Sequence, residues 1–140
     1  MIPKKIILHH SLTKDNDTVS WGVIRKYHIN NCKWNDIGYH FGIENLRGQT
    51  EILMGRMLNK QGAHCKGYNS DSIGICFVGN YDVFYPLKES WNQGIKLVQS
   101  LMDIFNIDIK DVYGHREFNT YKSCPGRLFD LDKFRNDLKY

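Results

Sequence analysis

Ser72-Ile73-Gly74-Ile75-Cys76-Phe77-Val78 carries apolar or small residues on both of its alternating faces. Ile73, Ile75 and Phe77 point one way, and Gly74, Cys76 and Val78 the other. A strand that is apolar on both sides belongs in the middle of a covered sheet. Upstream, Tyr39 to Glu44 and Thr50 to Met54 read as two further strands, joined by a hairpin-type turn over Asn45 to Gln49 that carries Gly48. Ile6 to His10 reads as another buried strand, and Asp111 to Gly114 as a short extended piece.

Helical spacing fills the gaps between these strands. Trp21, Ile24 and Tyr27 or His28 recur at helical intervals, predicting a helix from Ser20 to about Asn30, after a polar turn over Asp15 to Thr18. From Lys88 to Asn106, Trp91, Ile95, Val98, Met102 and Phe105 form an apolar stripe. Leu97, Leu101 and Ile104 widen it, so this helix is expected to pack on the sheet. Asp130 is placed to cap a final helix with Leu131, Phe134 and Leu138 inward. The expected class is therefore α/β: a single domain over residues 1–140, with a central mixed β-sheet flanked by α-helices. No repeat, low-complexity tract or linker divides the chain.

Composition bounds the function. A chain of 140 residues buries about two-thirds of its unfolded surface and needs no disulfide staple. The net charge of +4, from 19 basic and 15 acidic residues, is compatible with an anionic polymer as substrate and equally with no electrostatic speciality. No block of Lys or Arg is dense enough for a nucleic-acid face, so no nucleic-acid partner is expected. No apolar run reaches the roughly 20 residues of a membrane helix, so membrane insertion is not expected. Met1 to Lys5 lead directly into a strand without a signal-peptide core, from which synthesis in the cytoplasm and reduced thiols are expected. Nothing demands more than a monomer.

The chemistry-bearing residues lie far apart. His9 and His10 follow an apolar run, and His115 and Cys124 flank a loop that ends in Cys124-Pro125-Gly126. Two imidazoles and a thiolate form a three-ligand zinc set with a fourth position open to water, which is the arrangement of a catalytic rather than a structural site. His9 and His10 point to opposite faces of their strand, so at most one aims at a common centre, and spacing does not choose between them. No Cys-x-x-Cys pair is present, which disfavours a zinc finger. An alternative is Cys124 as a nucleophile with His115 as its base. Of the other histidines, His28 reads as a helix-face residue and His40 as a core residue. Cys76 reads as a buried thiol.

Five segments, in order, make the sequence recognisable. They are Ile7-Leu8-His9-His10-Ser11, Asp36-Ile37-Gly38-Tyr39-His40-Phe41, Gly55-Arg56 with Gly62 to Asn69, Ser72-Ile73-Gly74-Ile75, and Gly114-His115 through Lys122-Ser123-Cys124-Pro125-Gly126. Together they resemble the zinc-dependent N-acetylmuramoyl-L-alanine amidases, the family shared by amidase-type bacteriophage lysozymes and peptidoglycan recognition proteins. The phage type is the nearer match. The resemblance implies zinc as cofactor, with His9, His115 and Cys124 as its ligands and His10 as a residue that either supports the ligands from behind or packs. It implies catalytic roles for Tyr39, beside the zinc water, and Lys122, near the developing oxyanion. It implies substrate contacts for His64, Asn69 and Arg56. The implied partner is peptidoglycan or its muropeptides, and the implied reaction is hydrolysis of the amide between N-acetylmuramic acid and L-alanine by zinc-activated water. A phage endolysin reaching the wall through a membrane lesion fits this. The alternatives are a recognition module that binds without cutting and a cytosolic enzyme recycling wall fragments. Glu117, the acid nearest a ligand in sequence, is a candidate proton carrier or else a solvated loop carboxylate.

Overall fold

Five strands form one mixed sheet in the order β3-β2-β4-β1-β5. They are β1 (Lys5–His10), β2 (Phe41–Leu46), β3 (Gln49–Met54), β4 (Ser72–Phe77) and β5 (Val112–Gly114). The computed structural model describes residues 1–13 and 20–140, so the polar turn expected over Asp15 to Thr18 lies outside the described residues. β4 is central and buried along its whole length, as its two apolar faces require. It runs parallel to β1 and β2, β5 runs parallel to β1, and β3 closes the other side antiparallel to β2.

Three helices cover the sheet: α1 (Ser20–Asn30), α2 (Lys88–Phe105) and α3 (Leu131–Asp137). On one face, Ile6, Leu8, Ile43, Ile73, Ile75 and Phe77 meet Val98 and Leu101 of α2 and Leu131 and Phe134 of α3. Phe77, Phe129, Phe134 and Trp91 pack ring against ring at 5.0–6.1 Å between centroids. On the other face, Trp21 and Ile24 of α1 pack on Ile37, Cys76 and Val78. Glu44 of β2 reaches back to accept the Trp21 N–H at 2.9 Å, which places a carboxylate at the positive end of α1. Asp130 caps α3 by accepting the Lys133 N–H. No helix among the described residues is long and apolar enough to cross a membrane.

The elements follow the sequence pattern with local departures. The expected strand from Tyr39 begins at Phe41 instead, although pairing extends back: His40 N–H donates to Gly74, and Arg56 N–H to Tyr39. The turn is tighter than expected. Asn45 and Leu46 stay in the ladder opposite Thr50 and Gln49, and only Arg47 and Gly48 turn, at φ 52° and 81°. Positive φ at both turn residues is the type I′ hairpin geometry, which glycine accommodates without strain. Ile104, expected in the inward stripe of α2, is 69% exposed, because at 3.6 residues per turn it lies about 120° round the helix from Val98, outside the arc of Gly94, Val98, Leu101 and Phe105 that meets the core. On α1 it is Trp21, Ile24 and half-buried His28 that turn inward, while Tyr27 faces out.

Candidate metal centre

The period of two in β1 separates its last two side chains. His10 lies on the α2 face, stacked on Tyr81 with ring centroids 6.2 Å apart, and its Nδ1 accepts the Tyr81 N–H at 3.1 Å. His9 lies on the α1 face, level with Cys76 of β4 and 1% exposed. β5 ends at Gly114 and delivers His115 at the start of a single 3-10 turn, beside the end of β1. The loop that follows returns Cys124 to the same point. One ligand atom each from His9, His115 and Cys124 lies within 4.8 Å of the others.

The Cys124 loop is tied down from several sides. Arg116 donates from its guanidinium to the carbonyls of Ser123, Gly126 and Phe129, and its backbone N–H donates to the Cys124 carbonyl. Asp82 accepts the Ser123 hydroxyl and the Arg127 N–H, each at 2.9 Å. The Gly126 N–H closes the turn on Ser123. The His10 N–H points at the Cys124 sulfur at 3.4 Å. Neither Arg116 nor Asp82 could be found from spacing. Asp82 lies 41 residues from the serine it holds, and Arg116 acts through backbone carbonyls that carry no side-chain signal.

Electrostatics suits a cation. Burial lowers the pKa of His9 well below its ordinary value, with the neighbouring His64 and His115 adding to the effect. His115 is lowered by burial and by the Lys122 ammonium. Both imidazoles are therefore neutral and present lone pairs at neutral pH. Burial pushes the Cys124 thiol up to about 12, despite the His10 N–H and the positive charges of Lys122 and Arg116. A nucleophilic cysteine needs the opposite shift, so this environment disfavours the cysteine–histidine nucleophile. A divalent cation would reverse it by binding the thiolate. The spacing fits as well: His9 Nδ1 and Cys124 Sγ are 3.6 Å apart. Tetrahedral zinc–nitrogen and zinc–sulfur bonds place two such ligands about 3.6 Å apart.

Around the cluster is a cleft of about 460 Å³, lined by Tyr39, His28, Trp34, Lys122 and Leu12 among others. It continues through Trp34, His64, Tyr121 and Lys122 into a second hollow of about 800 Å³ that reaches Lys66, Asn69 and Phe118. The Tyr39 ring lies 5.2 Å from that of His9, and its hydroxyl pKa is raised well above the ordinary value, by burial first and then by Cys76 and Cys124. His28 accepts the Gly38 N–H at 2.9 Å, which holds the segment before Tyr39.

The remaining sequence-predicted residues divide. His64 is buried beside the cluster, its Nδ1 2.9 Å from His9 Nε2. Burial lowers its pKa to about 3. The Asn69 carboxamide oxygen accepts the N–H groups of His64 and Cys65, each at 2.9 Å, while the residue also lines the larger hollow. Arg56 lines neither cavity: its guanidinium donates to the carbonyls of Ile37, Gln61 and Asp36 and knits the adjoining loops together. Glu117 is exposed, as a solvated loop carboxylate would be; it accepts the Gly114 N–H and pairs with Arg135, which turns its carboxylate to β5 and α3. His40 is a fully buried core residue, bonded to the Lys60 carbonyl and the Gly74 N–H.

The sequence and the fold are similar to those of known proteins. The chain is 41% identical over 137 residues to the endolysin of Enterobacteria phage K11, covering 93% of this chain and 83% of that protein. It is 32% identical over 115 residues to peptidoglycan-recognition protein 2 of Holotrichia diomphalia, covering 79% of this chain but only 59% of the relative. The fold superimposes on N-acetylmuramoyl-L-alanine amidase LysC from Clostridium intestinale with a TM-score of 0.82 at 30% identity, covering 98% of this chain and 85% of that one. The sequence pattern of the N-acetylmuramoyl-L-alanine amidase family runs through residues 1–127, from ahead of β1 to beyond the Cys124 loop. It thus spans both ends of the His9–His115–Cys124 cluster, and the chain belongs to that amidase family.

Proposed function

We propose that the chain is a zinc-dependent N-acetylmuramoyl-L-alanine amidase that cuts peptidoglycan between N-acetylmuramic acid and L-alanine, and that it serves as a phage endolysin. The observation that carries this reading is the convergence of His9, His115 and Cys124 within 4.8 Å at the floor of an open cleft. The similarity to the K11 endolysin over nearly the whole chain supports the phage role.

His9, His115 and Cys124 would hold the zinc. A zinc ion there supplies Lewis acidity and lowers the pKa of a water to about 7. The protein's own groups do the rest. Both imidazoles stay neutral through burial and remain available as ligands. The His10 N–H and the Lys122 ammonium favour the thiolate form of Cys124. Lys122 lines both hollows, where its ammonium stabilises the oxyanion that forms as the amide carbonyl is attacked. Tyr39 keeps its proton throughout the neutral range and acts as a hydrogen-bond donor over the cluster. The groove from Leu12 to Phe118 receives the glycan and its stem peptide. Residues 1–140 act as one catalytic domain, made in the cytoplasm, working on the cell wall as a monomer.

Mass spectrometry of purified peptidoglycan after digestion tests this. Stem peptides released with free L-alanine amino termini are expected. New reducing sugar ends, or intact peptidoglycan with the zinc-loaded chain, would contradict it.

A further inference from the structure

We infer that His64, Ser72 and the Tyr68 carbonyl form a one-way hydrogen-bond chain that locks His9 in the tautomer whose Nδ1 lone pair faces Cys124, which makes His64 a positioning residue. The purpose of this lock rests on the metal-centre reading above; the direction of the chain does not.

The direction follows from its far end. A backbone carbonyl only accepts. Ser72 Oγ lies 2.6 Å from the Tyr68 oxygen, so its single hydroxyl hydrogen is spent there. Ser72 Oγ also lies 3.2 Å from His64 Nε2, and toward that nitrogen it can only accept. His64 Nε2 therefore carries the hydrogen, and in a neutral imidazole Nδ1 is then bare. His64 Nδ1 is 2.9 Å from His9 Nε2, which must donate. His9 Nδ1 is left with its lone pair directed at Cys124 Sγ, 3.6 Å away.

The scaffold holds this chain at both ends. Ser72 and Gly74 are on the same face of β4. A Cβ at Gly74 would come within 2.6 Å of His64 Cγ, so the imidazole lies in a slot that only glycine leaves open. The Asn69 side chain fixes the backbone of His64 and Cys65 over that slot. Ser72, His9 and His64 are all buried, so water does not compete for these bonds. Partners that orient a metal-binding histidine typically contribute about 10–100-fold in metal affinity.

The test uses the whole chain with ¹⁵N-labelled histidine. Long-range ¹H–¹⁵N spectra of the metal-free protein report which His9 nitrogen is protonated, and chelator competition gives the zinc affinity. Native protein is expected to show His9 protonated at Nε2 only. His64→Phe, which fills the slot without an acceptor, should mix the His9 tautomers and weaken zinc by about 10–100-fold. His64→Gln, which keeps an acceptor, should restore most of both. Ser72→Ala removes only a hydroxyl and should also mix the tautomers, which keeps the test decisive if the phenylalanine variant does not fold. A native His9 protonated at Nδ1, or variants with native spectra and native affinity, would overturn the inference. Expected spectra in a chain that takes up no zinc would uphold the lock and remove the metal reading instead.

Discussion

The two faces of the sheet are built from the same strands, one residue out of step. On the α2 face, Ile6, Leu8, Ile73, Ile75 and Phe77 form a continuous apolar layer with the aromatic rings of Phe129 and Phe134. On the α1 face, Ile7 is followed by His9, and Gly74 by Cys76, and the apolar layer of Trp21, Ile24 and Val78 gives way to buried histidines. Each face meets a different requirement. The apolar face gains by removing carbon surface from water, at about 25 cal/mol per Å². The polar face pays for burying imidazoles and a thiol, whose pKa values are driven away from their charged forms. His9, His40 and His64 each have hydrogen-bonding partners that offset part of this cost.

This contrast predicts that substitutions on the two faces separate cleanly. The largest effect is Cys124→Ser. Zinc binding and peptidoglycan cleavage should both be lost while the melting temperature of the metal-free chain stays near native. An active, zinc-free variant would remove the polar face from the chemistry. Phe134→Ala should do the reverse, costing about 3–5 kcal/mol in denaturant unfolding, with cleavage per folded molecule and zinc stoichiometry unchanged. A normal unfolding midpoint would show that the aromatic cluster is not the anchor described. Next comes Lys122→Ala, expected to keep zinc and lower turnover by about 10²–10³-fold; unchanged turnover would take its ammonium out of the reaction.

The smallest effect concerns the Asp82 tether of the Cys124 loop. The Arg127 N–H, more than the Ser123 hydroxyl or any nearby charge, holds the Asp82 carboxyl below its ordinary value of 3.8. A lowered folded-state pKa contributes stability that is present above 3.8 and is lost as the pH falls through the folded value. Asp82→Asn should therefore be less stable than native at neutral pH, by about 1.5–3 kcal/mol, and the gap should close in acid. Thermal melts of the two proteins across that range measure it, and a gap independent of pH would contradict the assignment.

The apolar face was the more legible of the two. The double-sided pattern of Ser72 to Val78 and the stripe of α2 are long periodicities, and packing obeys them except at Ile104, which lies off the centre of its stripe. The polar face depends on pairings that periodicity does not encode. Alternation alone separates His9 from His10 but cannot say which meets His115 and Cys124. The answer lies in the path of the chain after β5, which brings His115 and Cys124 to the His9 side, while His10 packs on Tyr81. Family resemblance drew His9, His115, Cys124, Tyr39 and Lys122 to the site. It was mute about Ser72, Asp82 and Arg116, whose roles are bonds to backbone or to side chains distant in sequence. Arg56, drawn to the substrate side by resemblance, and Glu117, by its nearness to His115, bond to partners that the sequence does not show.

The central claim is that the polar face is a three-ligand zinc site. The most direct measurement is X-ray absorption of the zinc-loaded chain. One sulfur at about 2.3 Å and two imidazole nitrogens at about 2.0–2.1 Å are expected, with the sulfur signal gone in Cys124→Ser. A zinc shell of nitrogen and oxygen alone in the native protein, or no stoichiometric zinc, would contradict it.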